Sequence, residues 1–339
     1  MPTTVDNISP DALGWALAHV KRFGDTDVFP NAFEFSAIAA SWPEVHAHLS
    51  SLDLSTHSFR GSMRMLSPKH TNGFRVVAQL EPYDSLLFLG IAREAGEPIE
   101  RIRVPEGRGI ACSYRIGFTP DGQLFKRPGG WEQFQDTARV RCGDARIKYV
   151  LTADISDFYN QIYHHRIESA LELSGVEQVR CRNVETLLGG LTAEQSRGVP
   201  VGPTPSILLA EACLADVDDF LLRRGFDHVR YVDDFRIFCT SRSIAIEALH
   251  AMTDYLNSAH KLSLEGTKTR IHTKKEFLTR ELEDPERLER ERTTQHINEI
   301  LSAIPSSYVD PDDEEAVKEI ENAAADRRSS ASGGFRSDG

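Results

Sequence analysis

Apolar and polar residues follow a helical rhythm over much of this chain. Ser9 and Pro10 open a pattern whose apolar positions recur every three or four residues through Val20, which predicts an amphipathic helix with Ser9 as its cap. The same period predicts further helices over residues 32–49, with a break at Pro43, and over residues 85–97, 131–140, 207–221 and 244–256. The chain is therefore predicted to be rich in helices.

Two extended regions interrupt this rhythm. Residues 101–125 lack the helical period and contain Pro120-Asp121-Gly122, a hairpin turn signal, so they are predicted to form a hairpin. Residues 147–153 alternate apolar and polar side chains and lead to Asp154, as a half-buried strand does. A strand that ends in this way presents a carboxylate at the edge of a sheet.

A third extended region, residues 228–239, reads HVRYVDDFRIFC and holds two acidic residues between β-branched and aromatic runs. Because Asp is disfavoured inside strands and favoured in turns, Asp233 and Asp234 are predicted to form the tip of a hairpin. A solvated surface turn would explain the pair alone. Asp154 favours a metal site instead, since two-metal phosphoryl transfer needs carboxylates from different strands.

The segment between these motifs, residues 197–222, reads RGVPVGPTPSILLAEACLADVDDFLL. Its first part is a turn punctuated by Gly and Pro, in which Gly198 and Gly202 allow a close backbone approach to a base pair or a sugar. Its second part, residues 207–221, is interpreted as a helix that packs in the core. Only the loop from Gly198 to Ser206 is a functional candidate.

In this order, the three segments resemble the palm motifs of reverse transcriptases. Residues 154–159 (DISDFY) correspond to motif A, residues 198–206 to motif B and residues 231–234 (YVDD) to motif C. Three segments look closest to the abortive-infection and defence-associated branch of the bacterial enzymes. They are SDFYNQIYHH, GVPVGPTPS followed by LAE, and YVDDFRIF. The resemblance covers residues 25–275.

This resemblance implies an α+β fold with the fingers and palm of a right-hand polymerase. An antiparallel palm sheet would carry the YxDD hairpin, with helical segments towards both ends of the chain. The implied divisions are an N-terminal helix (1–24), fingers with N-terminal helices (25–149), a palm (150–275), an acidic helical appendage (276–328) and a disordered tail (329–339).

The resemblance also implies roles for single residues. Asp154 and Asp233 would bind Mg²⁺, or Mn²⁺ in its place, with Asp234 supporting them and the backbone carbonyl of Ile155 completing the shell of one ion. Tyr159 would close the sugar pocket against a ribose 2′-hydroxyl by steric exclusion. Gly202, in motif B, would lie beside the nucleotide.

Two cations are candidates for contact with the departing phosphates. Lys268, in a segment resembling motif D, would protonate the pyrophosphate as a general acid, although a surface lysine beside a strand is equally compatible. Arg115 is the choice for a triphosphate clamp, because a guanidinium donates a fixed fork of hydrogen bonds and keeps its charge. Arg103, Lys126 and Arg127 are rivals that the sequence leaves open.

Charge is distributed unevenly along the 339 residues, whose formal net charge is -12. Residues 59–149 carry five more Lys and Arg than Asp and Glu, whereas residues 276–328 account for a net charge of -9. The acidic average therefore conceals a basic region suited to contact with a nucleic-acid backbone or a triphosphate.

Other features narrow the class of protein. The five cysteines are scattered singly, which predicts buried, reduced thiols and no zinc site. His164 and His165 would point about 100° apart on a helix and would not chelate one ion easily, so phosphate contact or surface placement is expected. No apolar run approaches about 18 residues and no secretion signal is evident, so we expect a cytoplasmic protein without membrane contact.

The expected activity is that of an RNA-directed DNA polymerase, a nucleotidyltransferase that adds dNMP to a 3′-hydroxyl or a protein hydroxyl in antiphage defence. Its expected partners are dNTPs, an RNA template or non-coding RNA, a DNA product, and a homo-oligomer or partner protein. One alternative is a catalytically silent RNA-binding or scaffolding subunit of a paired defence system. A nucleotide cyclase is the other, but its Gly-Gly-Asp/Glu-Glu-Phe turn is absent.

Three departures from templated reverse transcriptases bear on how nucleic acid is held. Val201 stands where many of those enzymes have Gln, and only Phe277-Leu278 lies near the expected Leu-Gly primer grip. The acidic tail is also too short for an obvious thumb. We therefore expect a partner chain, a structured RNA or an oligomer to hold the duplex.

Overall fold

The computed structural model describes residues 6–26, 28–70, 73–126, 130–192 and 195–282. The helices are α1 (Pro10–Phe23), α2 (Glu34–Ala40), α3 (Trp42–Ser51), α4 (Pro82–Ile102), α5 (Trp131–Gly143), α6 (Phe158–Gln161), α7 (His164–Ser174), α8 (Gln178–Leu191), α9 (Thr204–Arg223), α10 (Arg242–Tyr255) and α11 (Lys274–Phe277). The strands are β1 (Met63–His70), β2 (Gly73–Gln79), β3 (Tyr149–Asp154), β4 (Asp227–Tyr231), β5 (Asp234–Cys239) and β6 (Arg270–Thr273).

A four-stranded antiparallel sheet in the order β4-β5-β3-β6 is the centre of the molecule. Because successive strand residues point to opposite faces, Leu151 and Ile237 join one hydrophobic cluster while Val150 and Phe238 join another. Helices α9 and α10 pack in the first cluster, and α5 and α11 pack in the second. Both faces of the sheet are therefore covered, which explains why its central strands are apolar on both sides.

The N-terminal helices pack into the first cluster as well. Leu13 of α1, Leu86 of α4, Ile167 of α7 and Leu187 of α8 are all fully buried in it. This cluster extends along the chain from Ile8 to Leu262 and crosses the predicted division between fingers and palm at residue 149. The predicted domain divisions remain predictions.

Most helices predicted from apolar spacing are confirmed. Ser9 caps α1, where its hydroxyl accepts a hydrogen bond from the Ala12 N–H, and Pro10 follows in the first turn. The break predicted at Pro43 separates α2 from α3, with Pro43 in the first turn of α3. Helix α4 is longer than predicted and includes Pro98. Helices α7 and α8 were not predicted.

The hairpin predicted over residues 101–125 is only partly correct. The chain does reverse at Thr119–Gly122, where the Gly122 N–H donates to the Thr119 carbonyl. However, the paired segments form one isolated bridge, between Ile116 and Phe125, rather than strands. The regular hairpin lies earlier, where β1 and β2 pair in an antiparallel ribbon.

Several predictions concern properties of the whole chain. All five cysteines are buried free thiols, as predicted. No helix within the described residues has the length and apolar character required to cross a membrane. The acidic appendage after residue 282 and the tail at residues 329–339 lie outside the described residues.

Candidate active site

Two strand ends bring three carboxylates to one edge of the central sheet. Asp154 is the last residue of β3 and pairs directly with Asp234, the first residue of β5. The Ile155 N–H donates to the Asp233 carbonyl over 3.3 Å, which ties the start of motif A to the hairpin turn. Residues separated by about 80 positions in sequence are thus neighbours through strand pairing.

The turn between β4 and β5 is shorter than predicted. Tyr231 pairs with Asp234, so the loop consists of Val232 and Asp233, and Asp234 belongs to the strand rather than the tip. Val232 has a φ of 51°, in a region where β-branched residues are rare and where Gly is usual at the first position of such loops. Backbone strain of this kind costs about 1–3 kcal/mol and needs support from its surroundings.

Negative charge is concentrated among these carboxylates. Burial, together with the charges of Asp233 and Asp154, raises the pKa of Asp234 to about 7. The half-exposed Lys268 places its Nζ 2.9 Å from Oδ1 of Asp154. Burial opposes the charge of Lys268, but its hydrogen bond to Asp154 and the nearby carboxylates raise its pKa above the ordinary value. Lys268 therefore keeps its proton at neutral pH.

The donor set fits a divalent cation. Carboxylate oxygens are the ligands that Mg²⁺ prefers, and an ammonium group already lies where positive charge is needed. In the part of the chain that the structure describes, no three His, Cys, Asp or Glu side chains are gathered closely enough to hold an ion unaided. Magnesium sites that bind nucleotides commonly use one or two carboxylates plus the substrate phosphates.

Tyr159 lies beside this carboxylate edge. Burial, followed by the charges of neighbours that include Asp233, raises the pKa of Tyr159 well above its usual value. Its backbone carbonyl accepts a hydrogen bond from the Val199 N–H over 2.8 Å. Asp157 occupies the cap position of α6, but its carboxylate accepts from the side chains of Asn160 and Gln161 instead of the backbone.

The loop that corresponds to motif B is fastened at its start to the Tyr159 turn. The Gly198 N–H donates to the Ile162 carbonyl, and the buried His164 donates from Nε2 to the Gly198 carbonyl over 2.8 Å. Burial lowers the pKa of His164, which favours this neutral donor. The expectation of phosphate contact or surface placement was wrong for His164, because its ring anchors a loop inside the protein.

Gly202 has a different role from the one expected. Its φ is 121°, and a Cβ atom there would lie 2.9 Å from the Ala78 carbonyl and 3.0 Å from Thr26 Oγ1. The adjacent Val201 carbonyl accepts from the Ala78 N–H over 2.7 Å. Gly202 therefore allows a close approach of β2, and this contact explains the glycine without a bound nucleotide.

Arg115 does not fit the expected triphosphate clamp. Its side chain is 5% exposed, forms an ion pair with Glu100 at 2.6 Å and donates to the carbonyls of Val104 and Ala111. Its rival Arg103 is buried as well. Both guanidinium groups are used within the protein, so neither points to the carboxylate edge.

The other two rivals are less informative. Lys126 is half-exposed and forms an ion pair with Glu106 at 2.5 Å. Arg127 lies outside the described residues.

Arg75 is the cation that sequence reasoning passed over as one of many basic residues. It lies on the exposed part of β2. Burial and neighbouring charges raise the pKa of Tyr159, and the positive charge of Arg75 partly offsets this rise. The available signal was Asn72-Gly73 between two apolar runs, a strong hairpin turn pair. Recognising that hairpin would have placed Arg75 on a strand instead of an undefined segment.

A family model for "Reverse transcriptase (RNA-dependent DNA polymerase)" matches residues 117–295. The chain belongs to this family. The match includes both carboxylate strands, the Gly198 loop and Lys268, so the central sheet is the palm of a right-hand polymerase. No curated protein matches the chain.

Several solved telomerase structures are similar to part of this chain. Telomerase from Candida albicans, in complex with a TWJ fragment of telomeric RNA, has 12% identity and a TM-score of 0.44, and the match covers 65% of this chain and 42% of that one. Apo telomerase from Candida tropicalis, truncated from its C-terminal domain, has 11% identity and a TM-score of 0.47, with 64% and 51% covered. The matched regions span about half the length of these proteins.

Proposed function

We propose that the chain is a Mg²⁺-dependent RNA-directed DNA polymerase that serves in antiphage defence. The observation that carries the polymerase activity is the pairing of Asp154 with Asp234 beside the Asp233 turn, within a chain of the reverse transcriptase family. The defence role rests on a resemblance to the abortive-infection and defence-associated branch of bacterial reverse transcriptases. The segments SDFYNQIYHH, GVPVGPTPS and YVDDFRIF carry this resemblance.

Each residue at the carboxylate edge has a proposed task. Asp154 and Asp233 hold the divalent ions, with the Ile155 carbonyl as a further ligand and Asp234 as a supporting carboxylate. When bound, such ions activate the attacking hydroxyl and stabilise the leaving oxygen. Lys268 moves from Asp154 to the departing pyrophosphate and gives it the proton held at Nζ.

The nucleotide is proposed to lie between the carboxylate edge and the β1–β2 hairpin. Tyr159 packs under the sugar, and its ring leaves no room for a 2′-hydroxyl. Arg75 replaces Arg115 as the proposed phosphate contact, because it is exposed and its charge reaches Tyr159. The product is DNA, extended from a 3′-hydroxyl or from a protein hydroxyl.

The hairpin is also proposed to contact the template. One of its faces exposes large apolar side chains beside a basic residue, namely Leu66, Phe74, Val76 and Arg64. Aromatic and apolar side chains next to cations suit stacking against bases while the cations contact the backbone. An RNA template, a homo-oligomer or partner protein and a cytoplasmic location complete the proposal.

The decisive variant is Asp233→Asn, which keeps the shape of the turn and removes one metal ligand. We expect incorporation of labelled dNMP to fall by at least about 10³-fold, and protection against phage plating to disappear, while circular dichroism and the thermal midpoint stay close to wild type. Asp254→Asn, at an exposed position of α10, is the matched control and should retain both activities.

Other outcomes would assign the protein differently. Full incorporation by Asp233→Asn would remove the metal mechanism. Tight RNA binding by the wild-type protein, without incorporation on any primer or with any partner, would support the scaffolding alternative. Incorporation without any effect on phage plating would remove the defence role and leave the enzyme.

A further inference from the structure

Val232, the strained residue of the turn between β4 and β5, is held by hydrogen bonds at both its N–H and its carbonyl. The Val232 N–H donates to Ser113 Oγ over 2.9 Å, and the Val232 carbonyl accepts from Nη1 of Arg230 over 3.0 Å. Ser113 and Arg230 are both fully buried. The peptide groups flanking Val232, next to Asp233, are therefore fixed by side chains from inside the protein.

These two partners converge on one carboxylate. The Ser113 hydroxyl donates to Oε1 of Glu211, and Nη1 of Arg230 donates to Oε2 of the same residue over 3.0 Å. Arg230 also binds Asp218 with Nε and Nη2. Glu211 and Asp218 lie one above the other on α9, seven residues apart, so a single helix holds both anions.

Ser113 is brought to the turn by its own backbone. Residues 110–112 run beside β4, where the Cys112 N–H donates to the Arg230 carbonyl and the Arg230 N–H donates to the Ile110 carbonyl. Nη2 of Arg103 then binds both the Ser113 carbonyl and Glu211, each over 2.7 Å. The Ser113 hydroxyl that binds Val232 is therefore held in place by contacts to its own backbone and to Glu211.

Stability alone does not account for this arrangement. Two buried guanidinium groups and two buried carboxylates are costly to remove from water, and apolar residues of similar volume commonly give equal or greater stability. What apolar residues cannot provide is a hydrogen-bond donor and an acceptor for the peptide groups of a strained turn. Ser113 and Arg230 each bind Val232 directly, and both also bind Glu211.

Our inference concerns buried residues that do not contact the substrate. Its kinetic consequence rests on the proposed function. We propose that Ser113 and Glu211 are positioning residues that hold the Val232 turn, and with it Asp233, in register with helix α9. Because the loop that starts at Gly198 runs into α9, which begins at Thr204, one helix sets the position of both the β4–β5 turn and that loop.

Ser113→Ala tests this inference with little disturbance, since it removes only one oxygen. Hydrogen exchange without metal, read on a peptide spanning residues 228–239, should speed up about tenfold at the Val232 amide. The kcat for dNMP incorporation should fall about tenfold. The KM for dNTP should stay unchanged, because the buried Ser113 does not contact the substrate. Half-maximal activity should need a higher Mg²⁺ concentration. Glu211→Gln should change the same three measurements in the same direction.

Ser174→Ala is the matched control, because Ser174 is also buried but its hydroxyl donates to the Leu171 carbonyl within α7. It should leave exchange at the turn, kcat and the Mg²⁺ requirement unchanged. The inference is overturned if Ser113→Ala leaves the turn as rigid as in the wild-type protein, or if Ser174→Ala loosens the turn as much as Ser113→Ala does. If the wild-type protein incorporates no dNMP, the proposed function fails, while the exchange measurement still decides the positioning role.

Discussion

At the scale of a single residue, Tyr159 connects two parts of the candidate active site. Burial, followed by the charges of neighbours that include Asp233, raises the pKa of its hydroxyl, and its carbonyl accepts a hydrogen bond from the Val199 N–H at the start of the motif B loop. A bulky ring at this point would exclude a 2′-hydroxyl by steric contact alone, which suits the proposed selection of deoxynucleotides.

Replacing Tyr159 by Ala should open that space. We expect discrimination against ribonucleotides, measured as the ratio of kcat/KM for dNTP and rNTP, to fall by about 10- to 100-fold. Tyr159→Phe is the control, and it should keep the wild-type ratio because the exclusion depends on the ring and not on the hydroxyl. A similar loss in both variants would show that the hydroxyl, rather than the ring, selects the sugar.

Single residues also show where sequence reasoning stops. Arg115 and Gly202 were chosen for sound local reasons, since guanidinium groups bind phosphates and glycines permit close approach. Both properties are used, but inside the protein: Arg115 binds Glu100, and Gly202 admits the backbone of β2. Residue type determined the kind of contact, whereas the fold determined the partner.

At the scale of elements, the join between α1 and the 119–122 turn combines a glycine and a histidine. A Cβ atom on Gly122 would lie 2.3 Å from the His19 backbone nitrogen, so only glycine lets the turn reach the helix. The buried His19 donates from Nδ1 to the Gly122 carbonyl over 2.7 Å. Burial lowers the pKa of His19 to about 4, although the hydrogen bond to Gly122 opposes this shift.

This join should make stability depend on pH. The pKa of His19 is lower in the folded state than the ordinary 6.5, so its contribution is complete above pH 6.5 and is lost as the pH falls towards 4, where the unfolded chain binds the proton more readily. The free energy of unfolding should be about 2 kcal/mol lower at pH 5 than at pH 7 from this group alone.

Chemical denaturation across this pH range measures the effect. His19→Gln can still donate to the Gly122 carbonyl but does not titrate, and the difference between wild type and this variant isolates His19 from other titrating groups such as His164. That difference should shrink as the pH falls. Parallel stability profiles for the two proteins would contradict the assignment.

At the scale of the whole molecule, the charge of -12 is divided between regions of opposite character. The last 57 residues, from Glu283, carry 15 Asp and Glu against 7 Lys and Arg. The β1–β2 hairpin, in contrast, exposes Arg64 and Arg75. A negatively charged protein can therefore still expose cations on both faces of a hairpin beside its candidate active site, and nucleic-acid binding there should be sensitive to salt.

Arg64→Ala tests the hairpin face that also exposes Leu66, Phe74 and Val76. For a single-stranded RNA, the slope of log K against log salt should become about 0.7 less steep, since each lost phosphate contact contributes about 0.7. Arg223→Ala, at the far end of α9 from the Gly198 loop, should leave the slope unchanged. Equal slopes in all three proteins would place RNA on another surface.

Much of the palm could be predicted from sequence because its signals are local. Alternation predicted the strand that ends at Asp154, the runs around Asp233 predicted a hairpin, and apolar spacing predicted α1, α5, α9 and α10. The β1–β2 hairpin, α7 and α8 were missed. On the hairpin the large apolar residues are mostly exposed, so alternation gave little contrast. The buried residues of α7 and α8 do recur every three or four positions, so the sequence carried a signal for these two helices.

By itself, the sequence indicated that Asp154 ends a strand, that Asp233 lies in a hairpin turn and that both are candidates for the chemistry. Only the tertiary structure decided which groups meet: Asp154 with Asp234, Lys268 with Asp154, and Ser113 and Glu211 with the Val232 turn. The physical reason is that periodicity reports whether a side chain is buried, not what it is buried against. Pairing across about 80 to 120 residues depends on strand register and helix packing, which no local pattern encodes.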